Sequence, residues 1–188
     1  MPQLLLTATS LSATASASAE LTKALLLLEE RLAAWSRDAI AFDALLQEVF
    51  GVETNTNSQR AALLTSISGS GLEINLQIVD ATSIDGQIAA YTSAAPDGGE
   101  RIYLNASWLE LATPAQIEAV LLEELGHAID HRLNGSNDST GDEGAIFSAL
   151  LRNQTPDPAA FQENDQRTLN INGLAVAVET STDTTRPT

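Results

Sequence analysis

Residues 113–134 read TPAQIEAVLLEELGHAIDHRLN, and the fold turns on this stretch. Thr113 at the N-cap, Pro114 at N1 and Gln116 at N3 make a capping-box arrangement, and Gly135 supplies a C-terminal stop. The spacing predicts one helix between them. With about 100° per residue and Ile117 at zero, Leu121, Leu122, Leu125, Ala128, Ile129 and Leu133 fall between roughly 20° and 160°. Glu123, Glu124, His127, Asp130, His131 and Asn134 fall in the opposite arc, roughly 220° to 340°. One face is therefore core. The other gathers carboxylates and an imidazole within a single turn, and helix neighbours at i and i+4 can share a metal ion. The chain has only two histidines, and both lie on this helix.

Upstream, ELTKALLLLEERLAAW (20–35) places Leu21, Leu25, Leu28 and Leu32 at helical spacing, and Ser36 or Asp38 caps a second helical segment, DAIAFDALLQEVF (38–50), that stops at Gly51. VETNTNSQ (52–59) is a polar linker, RAALLTSI (60–67) a short helix ended by SGSG (68–71). LEINLQIV (72–79) alternates as a strand, and QIAAYTS and ERIYLN flank the turn AAPDGG (94–99) as an antiparallel pair. Downstream, the polar turn GSNDSTG leads into a helix over DEGAIFSALLRN (142–153), and TLNING with LAVAVE predicts a hairpin around Asn172–Gly173. The expected organisation is a weakly ordered leader (1–19), a single α+β domain (20–180) and a disordered tail (181–188).

The 188 residues allow one domain with a sizeable core. Nine Lys+Arg against 25 Asp+Glu give a formal charge of −16. Such a surface repels phosphate backbones and anionic lipids, which argues against nucleic-acid and membrane partners, and it attracts divalent cations and basic peptides. The absence of cysteine excludes disulfides, thiolate metal sites and thiol nucleophiles. No run of about 18 apolar residues predicts a membrane span. The first 20 residues carry small side chains but no basic n-region, so secretion, weakly favoured over a cytoplasmic location, is expected by an uncleaved route.

The run Glu123-Glu124-Leu125-Gly126-His127 resembles the HExxH helix of zincin metallopeptidases, with Glu123 where that motif has its first histidine. Asp142-Glu143-Gly144-Ala145-Ile146-Phe147 resembles the later helix that gives the gluzincin branch its glutamate ligand. EELGH together with GDEG is also similar to a zincin-like domain of large bacterial proteins with RTX-type calcium repeats, and there the ND…ING…VAVE stretch belongs to the same domain. The resemblance implies N-terminal helices, a small twisted sheet whose edge strand is ERIYLN, an active-site helix packed on that sheet and a second ligand-bearing helix. It implies Glu123, His127 and Glu143 as metal ligands, Glu124 as the general base and Asp130 as acceptor for a ligand imidazole. It implies a metal-dependent peptidase acting on a polypeptide, or a catalytically inactive relative that binds metal and a protein partner. Zn²⁺ is the expected ion. Two carboxylates and one imidazole leave the ion less positive than two imidazoles and one carboxylate, which also brings in Mn²⁺, Fe²⁺ or Ca²⁺.

The residues admit plainer roles. Glu123 and Glu124 fit a solvated helix face, and His127 a hydrogen-bonded surface histidine. His131 suits the negative end of the helix dipole, or serves as a replacement ligand. Thr140-Gly141-Asp142-Glu143 is itself a capping-box pattern, and Asp142 is an alternative ligand to Glu143. Tyr91 and Tyr103 fit strand packing, or stabilisation of an oxyanion. No G-x-S-x-G frames a serine nucleophile, and the single E-x-x-H lacks the partner a di-iron site needs.

Overall fold

Side-chain caps set the helix boundaries in the computed structural model, which describes residues 4–10, 14–51, 57–68, 72–135, 140–171 and 173–181, with 4–10 and 57 described through their backbone only. Thr14 opens α1 (Ala15–Arg37), its Oγ1 accepting the Ala17 amide at 3.2 Å. Asp38 ends α1 and caps α2 (Ala39–Phe50) by accepting the Ile40 and Ala41 amides, and Gly51 stops α2 at φ 64°. α3 spans Asn57–Ser68. Thr113 and Gln116 form the reciprocal capping box of α5 (Pro114–Asn134), and α4 is the single turn Ala106–Leu109. No helix among the described residues is long and apolar enough to cross a membrane.

Among the described residues six strands form one sheet in the order β1-β2-β4-β3-β6-β5, with β1 (Leu4–Ser10), β2 (Leu72–Val79), β3 (Ala89–Thr92), β4 (Arg101–Asn105), β5 (Gln166–Ile171) and β6 (Leu174–Ser181). β1, β2 and β4 run parallel, while β3 is antiparallel to β4 and β6, and β5 to β6. The sequence left 1–19 as a weakly ordered leader. Instead Leu4–Ser10 pair with β2 and α1 begins at Ala15. ERIYLN was expected at a sheet edge, yet β4 is hydrogen-bonded on both sides, to β2 and to β3. The tail was expected to start at 181, but Ser181 closes β6 beside Ala89. The linker expected over 52–59 ends earlier, because α3 begins at Asn57. The remaining leader residues, linker residues 52–56, residues 69–71 of the expected SGSG stop, turn residues 136–139, residue 172 and tail residues 182–188 lie outside the described residues.

Strand alternation divides the apolar side chains between the two faces. Leu72, Ile74, Leu76, Ile78, Ile102 and Leu104 face the helices and bury against the apolar stripe of α5. Tyr103, Leu169, Ile171, Val176 and Val178 form a smaller cluster on the opposite face. α5 also packs against α6 (Glu143–Leu151), which runs antiparallel to it, with Ser148 Oγ donating to the Ala119 carbonyl at 2.7 Å. Glycine makes the pairing close. A Cβ on Gly126 would stand 2.7 Å from Gly144 Cα, and one on Gly144 would stand 2.5 Å from the His127 ring and 2.6 Å from the Glu123 carbonyl.

This contact predicts a sign. Gly→Ala in an open helix stabilises by about 1 kcal/mol. Gly126→Ala and Gly144→Ala should each instead destabilise, by about 1–3 kcal/mol through overpacking, measured as a lowered denaturant midpoint.

Candidate metal centre

α5 carries Glu123, Glu124 and His127 close together on its polar arc. The Asp142 carboxylate caps α6 by accepting the Ala145 amide at 2.7 Å. Asp142, not Thr140, is therefore the N-cap, and Glu143 stands at the first helical position with its side chain unused by any cap. α6 begins about two turns back from the end of α5, beside His127. Gly141, at φ 95°, and the Asp142 amide bonded to the Ala160 carbonyl at 2.7 Å hold that start in place. From the other side, Asp165 precedes β5, and Glu179 and Ser181 occupy alternate positions of β6 that face α5.

His127 lies at the middle, fully buried at 0% exposure. Its Nδ1 is 2.9 Å from Glu143 Oε1 and 3.5 Å from Glu179 Oε2. Its Nε2 is 3.2 Å from Asp165 Oδ2 and 4.0 Å from Asp142 Oδ1. The ring thus belongs to two groups of three donors, one on each nitrogen, each with ligand atoms within 4.8 Å of one another. Glu124, His127 and Asp130, which also fit a solvated face, are buried where α5 packs against α6, β3 and β6, and Glu124, Asp142, Glu143 and Asp165 are all at most 2% exposed.

Burying so many carboxylates is costly unless they are paired or protonated or bind a cation. None of Glu124, Asp142, Glu143 and Asp165 has a lysine or arginine partner among the described residues. Glu124 Oε2, His127 Nε2, Glu143 Oε2 and Asp165 Oδ2 are buried with no hydrogen bond among the described residues. Burial pushes Glu124 up to about 8, against the opposing pull of His127 and the Ser181 hydroxyl. Burial likewise raises Asp165 to about 6 and Asp142 above its ordinary range. Burial also raises Glu123 well above its range, reinforced by Asp142 and Glu124. For His127, burial opposes the charged form, but Glu143, Asp165 and Glu124 hold the imidazole well above its ordinary value. Without a cation the cluster stores protons. With convergent oxygen donors, one imidazole and orphaned buried atoms, its donor set fits a divalent ion.

The structure brings together His127 and both acids of α6, Glu143 and Asp142. Glu123 is half-buried and belongs to neither donor group. It lines a cleft of about 420 Å³ together with Asp142 and Ser181. Asp130 accepts from Asn134 Nδ2 at 2.8 Å. His131 lines a separate cleft with Tyr91 and Arg167 and joins neither group. Tyr91 donates to Glu100 at 3.2 Å, and Tyr103 lies on the far face of the sheet. The sequence reading placed ND…ING…VAVE in the domain but gave Asp165, Glu179 and Ser181 no role. The detectable signal for Glu179 was its phase, opposite Val176 and Val178 on an alternating strand. The chain matches no family model, no curated protein and no solved structure.

The raised carboxylates and imidazole fix a pH dependence. The folded protein retains protons that the unfolded chain has released, so metal-free stability is full below about pH 4, the ordinary carboxylate range. It should fall as pH rises through the Asp165 value of about 6 and the Glu124 value of about 8. Denaturation midpoints in chelator should show this decline. Glu124→Gln, which has no proton to lose, should flatten it, and added divalent metal should restore stability at the alkaline end.

Proposed function

We propose that this protein is a divalent-metal-dependent hydrolase of peptide bonds, with the cation on the Nε2 side of His127. The observation that carries the reading is the asymmetry of the ring. Nδ1 is engaged at 2.9 Å by Glu143, whereas Nε2 is buried without a hydrogen bond, 3.2 Å from Asp165 and facing Asp142. Metal-bound histidines characteristically give their other N–H to a carboxylate, which fixes tautomer and ring orientation. In this reading His127, Asp142 and Asp165 hold the ion, and Glu123 stands at the cleft side of the same group. Glu143 is the orienting carboxylate, the role that the family resemblance implied for Asp130.

When bound, the ion supplies a Lewis acid and makes a water acidic enough to deprotonate near neutral pH. Glu124 would be the residue that accepts a proton there, its charged form favoured by a neighbouring cation against the burial that raises it to about 8 in the metal-free site. The Ser181 hydroxyl donates to Glu124 Oε1 and leaves Oε2 available. The oxygen-rich donor set extends the metal choice from Zn²⁺ to Mn²⁺, Fe²⁺ and Ca²⁺. A polypeptide substrate would lie in the cleft that reaches Glu123, Asp142 and Ser181. A second reading, a metal-binding module without turnover, is favoured by the complete burial of both Glu124 and His127.

Asp165→Asn should abolish stoichiometric metal retention, read by elemental mass spectrometry. Glu124→Gln should keep the metal and lower cleavage of a broad peptide library by about 10²–10⁴-fold, the scale of a lost general base. Identical cleavage patterns for wild type and Glu124→Gln would favour the non-catalytic reading. Metal retained by Asp165→Asn would remove Asp165 from the ligand set.

A further inference from the structure

Five arginines are half-buried among the described residues: Arg31, Arg60, Arg101, Arg132 and Arg152. Four of them are ion-paired, to Glu118, Asp43, Asp97 and Glu100 respectively. Arg152 has no acid at ion-pair distance among the described residues, in a chain with 25 acids and nine Lys+Arg. Its Nε donates to the Ser148 carbonyl at 3.1 Å and its backbone N–H to the carbonyls of Ser148 and Ala149. That bond fixes the stem of the side chain, the two terminal amino groups make no hydrogen bond among the described residues, and Glu118 and Glu123 act on the guanidinium only through their charge, beyond ion-pair distance.

Arg152 lines the same cleft as Glu123 and Asp142. Asp142, Ala145, Ala149 and Arg152 follow one another at helical spacing along the cleft wall, and Ala115, Ala119 and Glu123 do so on α5 opposite. The antiparallel packing sets Arg152 near the start of α5 and Asp142 beside Glu123 and His127. The nine residues of α6 separate Asp142 from Arg152, ten helical rises or roughly 15 Å. An extended chain covers that distance in about four to five residues.

We infer that Arg152 is a specificity residue that binds a carboxylate of the peptide substrate, about four to five residues from the bond at the metal end of the cleft. The planar fork of its guanidinium matches a carboxylate at two points, and the half-buried setting reduces competition from water. A side-chain carboxylate of Asp or Glu and a free C-terminal carboxylate present the same chemistry. The substrate meaning of the site rests on the hydrolase reading above, but carboxylate binding does not require turnover.

The test is affinity selection by the full chain, kept in chelator so that no bond is cut. The probes are two random peptide libraries, one with free C-terminal acids and one with C-terminal amides. Wild type should enrich carboxylate-bearing peptides about tenfold over their Asn, Gln or amide counterparts, the scale of one hydrogen bond to a charged group. Arg152→Gln should lose the preference, and Arg152→Lys, a point charge without the fork, should keep part of it. Enrichment confined to the free-acid library assigns the terminal carboxylate. Enrichment within the amide library assigns a side chain. No enrichment, or a preference that Arg152→Gln retains, overturns the inference. Acid preference without metal-dependent cleavage would leave Arg152 standing and remove the hydrolase, whereas cleavage without acid preference would do the reverse.

Discussion

The centre depends on how closely α5 and α6 approach at Gly126 and Gly144. With hydrogen in place of a side chain on each, the two backbones meet at a distance no other residue pair permits. The His127 ring then lies directly over Gly144, and the next residue back, Glu143, reaches its Nδ1. The Asp142 cap and the Ala160 carbonyl that receives its amide determine where α6 begins, and so which turn of α5 it meets. The two glycines in EELGH and GDEG therefore belong to the geometry of the site as much as the acids between them do.

That geometry forces an electrostatic problem which the apolar core cannot solve. Glu124, Asp142, Glu143 and Asp165 sit within one buried region around a single imidazole. Desolvation favours protonated carboxyls, and the raised values of Glu124 and Asp165 express that preference. A divalent cation answers the same demand by displacing protons, which makes metal affinity and fold stability parts of one equilibrium. The strands contribute as well: β6 delivers Glu179 and Ser181 to the face of the sheet on which α5 packs.

Local signals were legible in the sequence where chemistry and periodicity agreed. The Thr113–Gln116 box, the alternation of Leu72 to Ile78 and the turn at Asn172–Gly173 led to α5, β2 and the β5–β6 hairpin with boundaries close to those observed. Tertiary consequences were not legible. The arc of Glu124, His127 and Asp130 has the composition of a solvated face, and only the covering by α6, β3 and β6 makes it an interior. β1 was missed because LLLTATS reads as part of a polar leader until β2 offers it a parallel partner. Asp165 was missed because a lone acid before a strand carries no spacing signal, and it joins His127 only through the chain's return some 38 residues later. The T-x-x-E pattern at Thr140 is a competing reading, and in the structure the cap is Asp142, whose carboxylate accepts the Ala145 amide.

The central claim is that this buried cluster exists to hold a cation on Nε2 of His127. Crystals grown with Mn²⁺ or Zn²⁺ and measured at the absorption edge of the metal test it most directly. An anomalous peak about 2.0–2.2 Å from His127 Nε2, with Asp142 and Asp165 oxygens in the same coordination sphere, is the predicted result. A peak on Nδ1 with Glu143 and Glu179, or no peak within the cluster at saturating metal, would contradict it.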